Sequence, residues 1–302
     1  MMKTINLRIF LLSLFALTLF SCVEDNEISN VCDTDFGTIG TRTESKFDKY
    51  LDREYLAPYN IRLEYRLDDV QTNFDYNVVP VKEEQAIKLA RLIKYLCLEP
   101  YELNSDANFL QKYFPKNIVL VGSGAFNGNG TFLLGTAQGG VKIMLYRVNE
   151  VDTTNPQILL DWYFNTIFHE FSHILHQNKR FSKDFEKISK TDYVGDEWSK
   201  YWKGDDKPKS YEKGFISDYS SNGIEDDFVE IISHYITLTT EQWNAKIDPK
   251  GDNKEGVARM NEKLAIVKGY LQESWNIDID KLRAEVQKRL KNVKNFDATN
   301  IE

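Results

Sequence analysis

Hydrophobic positions recur at helical spacing along most of the chain. Only a central stretch alternates, or runs on as strands do. "KFDKYLDREYLAPYN" (46–60) has helical spacing and a Pro-Tyr-Asn stop. "IRLEYRL" (61–67) alternates like a strand. "VKEEQAIKLARLIKYLCLEPY" (81–101) sets Ile87, Leu89, Leu92, Ile93 and Leu96 on one stripe of an amphipathic helix. "NIVLVGS", "GTFLLGTA" and "VKIMLYRV" read as three strands joined by Gly/Asn-rich turns. The Gly-rich "GSGAFNGNG" (122–130) precedes a strand and not a helix. It therefore offers no helix N-terminus to a phosphate and reads as a hairpin loop.

From residue 155 the pattern is almost wholly helical. Asn155-Pro156 is a start signal, an N-cap side chain followed by proline at the first helical position. Leu160, Phe164, Ile167, Phe168, Phe171, Ile174 and Leu175 mark a buried stripe on a helix running to about Gln177. "IEDDFVEIISHYITL" (224–238) is a second helix, and "EGVARMNEKLAIVKGYLQESW" and "DIDKLRAEVQKRLKNV" follow it. Strands first and helices afterwards predict an α+β fold, with a strand-containing part at 46–154 and a helical part at 155–302.

The chain starts differently. Lys3 and Arg8 precede an apolar run from Ile9 to Phe20, which is short for a membrane span and reads as a signal peptide over residues 1–21. Leu19-Phe20-Ser21-Cys22 resembles a bacterial lipobox, which predicts a lipid on Cys22. Residues 22–45 lack a hydrophobic period and read as a flexible tether. "CVEDNE" resembles the acidic signal that sends some lipoproteins to the surface of the outer membrane.

Composition narrows the field. The formal net charge is −8, and removal of Lys3 and Arg8 with the leader would take it to −10. An acidic protein is a poor partner for nucleic acid or anionic lipid surfaces. The 42% apolar and 13% aromatic content supports a packed core and not disorder. Cys32 and Cys97 remain after the leader; they could pair in an oxidising compartment, and neither belongs to a cluster that would bind metal through thiolates.

The candidate chemistry sits in "NTIFHEFSHILHQ" (165–177). Three of the four histidines fall here within eight residues. His169 and His173 bracket a glutamate as HExxH and project from one helix face one turn apart, so both can reach one Zn²⁺. Glu170 lies about 100° round the helix. From there it can take a proton from metal-activated water without being a ligand. A chance HExxH is expected in under about 1% of such sequences. His176 shares the face of His169 but lies about 10 Å along the axis, too far to join both ligands at one metal, and reads as a supporting or surface residue. A catalytic zinc needs a third protein ligand, and the metzincin continuation is absent, since His176 and Lys179 stand where Gly and His are required. The remaining sources are His234 and the acidic helix "IEDDFVE".

"FHEFSHILHQ", "DYVGDEW" and "FISDYSSNGIEDDFVEIISHYI" together resemble a family of zinc-binding metallopeptidase lipoproteins associated with outer-membrane nutrient-import systems. The likeness spans most of the chain and is most specific between residues 165 and 240. The layout also resembles gluzincins of the anthrax lethal factor type, in which a helix of form E-x-F-A-E supplies the third ligand and then a carboxylate that supports a histidine. Asp226-Asp227-Phe228-Val229-Glu230 matches that helix, with Asp in place of Glu at the ligand position. Tyr219, seven residues earlier, matches a tyrosine that stabilises the oxyanion. The resemblance implies a zincin-like fold, one Zn²⁺ per chain, and a small twisted sheet packed on the HExxH helix. It also implies an edge strand that binds peptide by strand addition. "VKIMLYRV" is a candidate for that edge and equally for a buried strand.

Helix geometry separates the acids. Asp226 and Glu230 share a face, while Glu225 and Asp227 point about 100° away. Asp226 is the expected ligand and Glu230 the supporting carboxylate. If the shorter Asp226 does not reach, Glu230 becomes the ligand with His234 as its partner. A solvated charge run is the remaining reading. The expected function is a zinc peptidase of the cell envelope acting on peptides or proteins. The alternatives are a non-catalytic metal-containing binding lipoprotein of an import system, and an amidase acting on a peptidoglycan or glycopeptide bond.

Overall fold

The computed structural model describes residues 44–67, 76–126, 132–133, 135–138 and 142–302. The predicted leader, Cys22, Cys32 and the predicted tether up to residue 43 lie outside the described residues.

Helix α1 (46–59) buries Phe47, Tyr50, Tyr55 and Tyr59 and passes through one π turn at Asp52–Leu56. It ends where Asn60 takes a left-handed conformation with φ 54°, one that asparagine tolerates. Strand β1 (Arg62–Glu64) follows. Helix α2 (83–104) turns Leu89, Leu92, Ile93 and Leu96 into the core, with Ile87 at its margin. Cys97 is buried on the same helix. Helix α3 (Phe109–Tyr113) leads into β2 (Asn117–Leu120).

β3 (Ala125–Phe126) and β4 (Phe132–Leu133) pair antiparallel, and residues 127–131 between them lie outside the described residues. β5 (Gly135–Gln138) and β6 (Lys142–Leu145) complete a four-stranded sheet of order β1-β2-β6-β5. The first three strands run parallel and β5 runs antiparallel to β6. β6 is therefore bonded on both sides, and β1 and β5, not "VKIMLYRV", stand at the ends of the sheet.

Apolar residues on both faces account for the continuous hydrophobic runs in β2 and β6. Ile118, Leu120, Ile143 and Leu145 join the main core. Val119, Val121, Met144 and Tyr146 form a smaller cluster on the other face with Ala125.

Helix α4 (156–178) starts as its sequence predicts, with the Asn155 side chain accepting from the main-chain N–H groups of Gln157 and Ile158. A π turn at Leu160–Phe164 precedes the segment Asn165–Asn178 that carries HExxH. All seven residues of the predicted stripe, from Leu160 to Leu175, are buried. Two short helices, α5 (Asp184–Ile188) and α6 (Trp198–Tyr201), lie in the long connection to α7 (Ile224–Thr237). α7 packs along α4. α8 (Thr240–Ile247), α9 (Lys254–Trp275) and α10 (Ile279–Asn292) close the order, and α9 and α10 cover α7.

One tie between these helices is polar. Lys263 of α9 and Asp227 of α7 are both fully buried, with Lys263 Nζ 2.6 Å from Asp227 Oδ2. The ammonium also donates to the Gly214 carbonyl at 2.8 Å, and the Tyr193 hydroxyl donates to Asp227 Oδ2 at 2.8 Å. Burial pushes the Asp227 carboxyl up and the Lys263 ammonium down. A buried pair is weak as net stabilisation but costly to break by removing one partner. Here it holds α7, α9 and the connection between α4 and α7 in one arrangement. Asp227 thus points inward, away from the neighbouring Asp226.

Candidate metal centre

Packing of α4 against α7 brings His169, His173 and Asp226 together, although more than fifty residues separate the histidines from the acid. His169 Nε2 and His173 Nε2 are 3.1 Å apart. Asp226 Oδ1 is 4.0 Å from the first and 3.5 Å from the second. Four ligands held at about 2.0–2.1 Å round one tetrahedral zinc stand roughly 3.3–3.4 Å from each other. The three atoms therefore already have nearly the mutual spacing that one zinc requires. Two neutral nitrogens and one carboxylate oxygen are a suitable donor set. The residues fit the metal that the motif implies.

Each donor is held from behind. His169 Nδ1 lies 2.9 Å from Glu230 Oε1, so the ring proton sits on Nδ1 and the Nε2 lone pair faces the centre. Glu230 Oε2 accepts from the Ser217 hydroxyl at 2.5 Å and lies 3.3 Å from His234 Nε2. Glu230 is thus a bridge between two histidines on the far side of His169. His234 stands one contact further out and is not in the converging group. Asp226 Oδ2 accepts from the Asn222 side chain at 2.7 Å, leaving Oδ1 for the centre. His173 Nδ1 lies 2.9 Å from His176 Nε2. His176 is buried and packs its ring edge-on to Phe181, so it is no surface residue.

The electrostatics follow from burial and these partners. Burial opposes charge on Glu230, but His234 and His169 outweigh it and hold the carboxyl well below the usual range. Burial likewise opposes protonation of His169, yet Glu230 prevails and its pKa is raised. Burial, then the proximity of His173, pushes His176 down to about 4. Burial raises the Asp226 carboxyl, but the proximity of His173 and the hydrogen bond from Asn222 bring it below its ordinary value.

Glu170 is half-buried on α4 beside His169, and its charge contributes to raising the His169 pKa. It is not one of the three converging residues. Tyr219 begins the 3-10 turn Tyr219–Asn222 just before α7. Its phenol is held above its ordinary pKa by burial and then by the nearby Asp226. Its ring centroid is 5.8 Å from that of His169, and Trp198 of α6 packs on its other side at 5.0 Å, near perpendicular. The pattern of residues did not single out Ser217, Asn222 or Trp198. Of these only Asn222 carried a local signal, as an amide one turn ahead of the acid it orients.

Comparisons with known proteins agree with this geometry. The family model described as "Putative zinc-binding metallo-peptidase" matches residues 40–280, most of the chain. A crystal structure of a "putative zinc-binding metallo-peptidase" from Bacteroides caccae is 32% identical. The match covers 85% of this chain and 96% of that one, with a TM-score of 0.73. No protein of curated function matches. The fold is the mixed α/β one expected of a zincin-like metallopeptidase. The match over residues 40–280 makes the chain a member of the zinc-binding metallo-peptidase family.

Proposed function

We propose that this protein is a zinc-dependent peptidase of the cell envelope, with one zinc per chain held by His169 Nε2, His173 Nε2 and Asp226 Oδ1. The observation that carries this reading is the convergence of those three side chains, with two imidazole nitrogens and a carboxylate oxygen close to one point. When bound, zinc supplies Lewis acidity, which acidifies a water and polarises the scissile carbonyl.

The chain's own residues do the rest. Glu170 takes the proton of the attacking water and returns it to the leaving amine, as a carboxylate beside the ligands but outside their set can. Glu230, anchored by Ser217, keeps the His169 proton on Nδ1. Tyr219 keeps its proton, because burial and Asp226 raise its pKa. It therefore has a hydroxyl to donate to the developing oxyanion. β5, at one end of the sheet order, packs against the HExxH segment of α4. Its main chain supplies hydrogen bonds for an extended peptide laid along it.

The test is zinc analysis of the purified protein together with a peptide-library cleavage screen. Zinc at one per chain with peptide cleavage supports the reading; a protein that binds no zinc ends it. Tyr219→Phe should keep its zinc and lose roughly 100- to 1,000-fold in kcat, the range for one lost oxyanion donor. An unchanged kcat would remove Tyr219 from the mechanism.

The proposed location rests on the lipobox, on the acidic "CVEDNE" that follows it and on the family resemblance. We propose that Cys22 carries the lipid that holds the protein to the outer membrane, facing the surface, with import proteins as neighbours. Cys22→Ala should move the protein from membrane to soluble fractions, and its retention in membranes would disprove the anchor.

A further inference from the structure

The two histidines of the motif are backed differently. Behind His169 stands an anion, Glu230, itself fixed by Ser217 and His234. Behind His173 stands a second imidazole, His176, with the nitrogens 2.9 Å apart. His176 is 2% exposed, and its ring is held edge-on by Phe181 with centroids 5.6 Å apart. Phe181 in turn stacks on Phe228 of α7 with centroids 3.9 Å apart. An aromatic wall thus fixes where the His176 nitrogen points.

From this geometry we infer that His176 is a positioning residue for His173: its Nε2 accepts the His173 Nδ1 proton and so frees the His173 Nε2 lone pair for the metal. The inference rests on the zinc reading above and adds a residue to it. For His173 to offer Nε2, its proton must sit on Nδ1, and a buried N–H needs an acceptor. The partner at hydrogen-bond distance is His176 Nε2, which must then be bare, with the His176 proton on Nδ1. Both rings stay neutral in this arrangement, so no second buried carboxylate is needed near Glu170, Asp226 and Glu230. A carboxylate in place of His176 would add a fourth negative charge around one divalent ion. The i+3 spacing of His173 and His176 on α4 brings the rings together on the same face.

The experiment compares His176→Leu with His176→Gln. Leucine fills the apolar niche but accepts nothing; the glutamine side-chain oxygen reaches about as far as Nε2 and accepts. Zinc affinity is read by competition with a chromophoric chelator, and melting of the metal-free proteins checks the fold. The leucine variant should bind zinc about 10–100-fold more weakly, the usual loss for such supporting partners. The glutamine variant should stay within about threefold of the unsubstituted protein. Equal affinity in all three, or equal loss in both folded variants, overturns the role. In zinc-loaded protein, nitrogen NMR should report His176 as the Nδ1–H tautomer; the Nε2–H tautomer overturns the inference even if both variants misfold. An unsubstituted protein that binds no zinc fails the underlying metal reading, and this role with it.

Discussion

Glu170→Gln is expected to leave zinc binding intact and to remove about two to four orders of magnitude of turnover, the range for a general acid–base group. Glutamine keeps the size and shape of glutamate but cannot accept a proton. Glu170 stands one residue after His169, so the helix turns it away from the face that carries the two ligands. The three donors already sit at the spacing of one tetrahedral centre without it. Loss of charge at Glu170 should therefore spare the metal and stop the chemistry. Zinc analysis and single-substrate kinetics on the same preparation separate the two effects. Undiminished cleavage would take Glu170 out of the mechanism, and loss of zinc would make it a ligand.

His173→Ala and Asp226→Ala should both abolish stoichiometric zinc, whereas Glu230→Ala should weaken it only about 10–100-fold. The contrast follows from the two acids' positions on α7. Asp226 Oδ1 faces both Nε2 atoms, at 3.5 and 4.0 Å. Glu230 instead meets His169 at Nδ1, on the opposite edge of the ring. A carboxylate there sets the tautomer and strengthens the donor but does not complete the centre. Titration of each variant with zinc against a chelator gives the order. A Glu230 variant weaker than the Asp226 variant would reverse the two roles.

Much of the helical half was legible in the sequence, because its helices are long and amphipathic. The α4 stripe from Leu160 to Leu175 is buried residue for residue, and Asn155-Pro156 starts the helix as the cap rule requires. The HExxH pair and the face shared by Asp226 and Glu230 also follow from the 3.6-residue period. The sheet was less legible. Three apolar runs in succession suggest neighbouring strands, yet β2 pairs with β6 in parallel and β5 folds back to the edge. That order is set by crossovers and not by any local pattern. A charge run such as "IEDDFVE" hides its own division of labour: Asp226 faces the centre, Glu230 props a ligand, and Asp227 is buried against Lys263, nearly forty residues on. His176 shows the same limit, since its spacing ruled out a shared metal but could not show what lies beside it.

One zinc is proposed to sit between His169, His173 and Asp226. A crystal of the zinc-loaded protein, measured on both sides of the zinc absorption edge, tests it most directly. A single anomalous peak is expected at about 2.0–2.2 Å from His169 Nε2, His173 Nε2 and an Asp226 oxygen. A peak more than about 3 Å from both Asp226 oxygens, or one bound by Glu230, would contradict it.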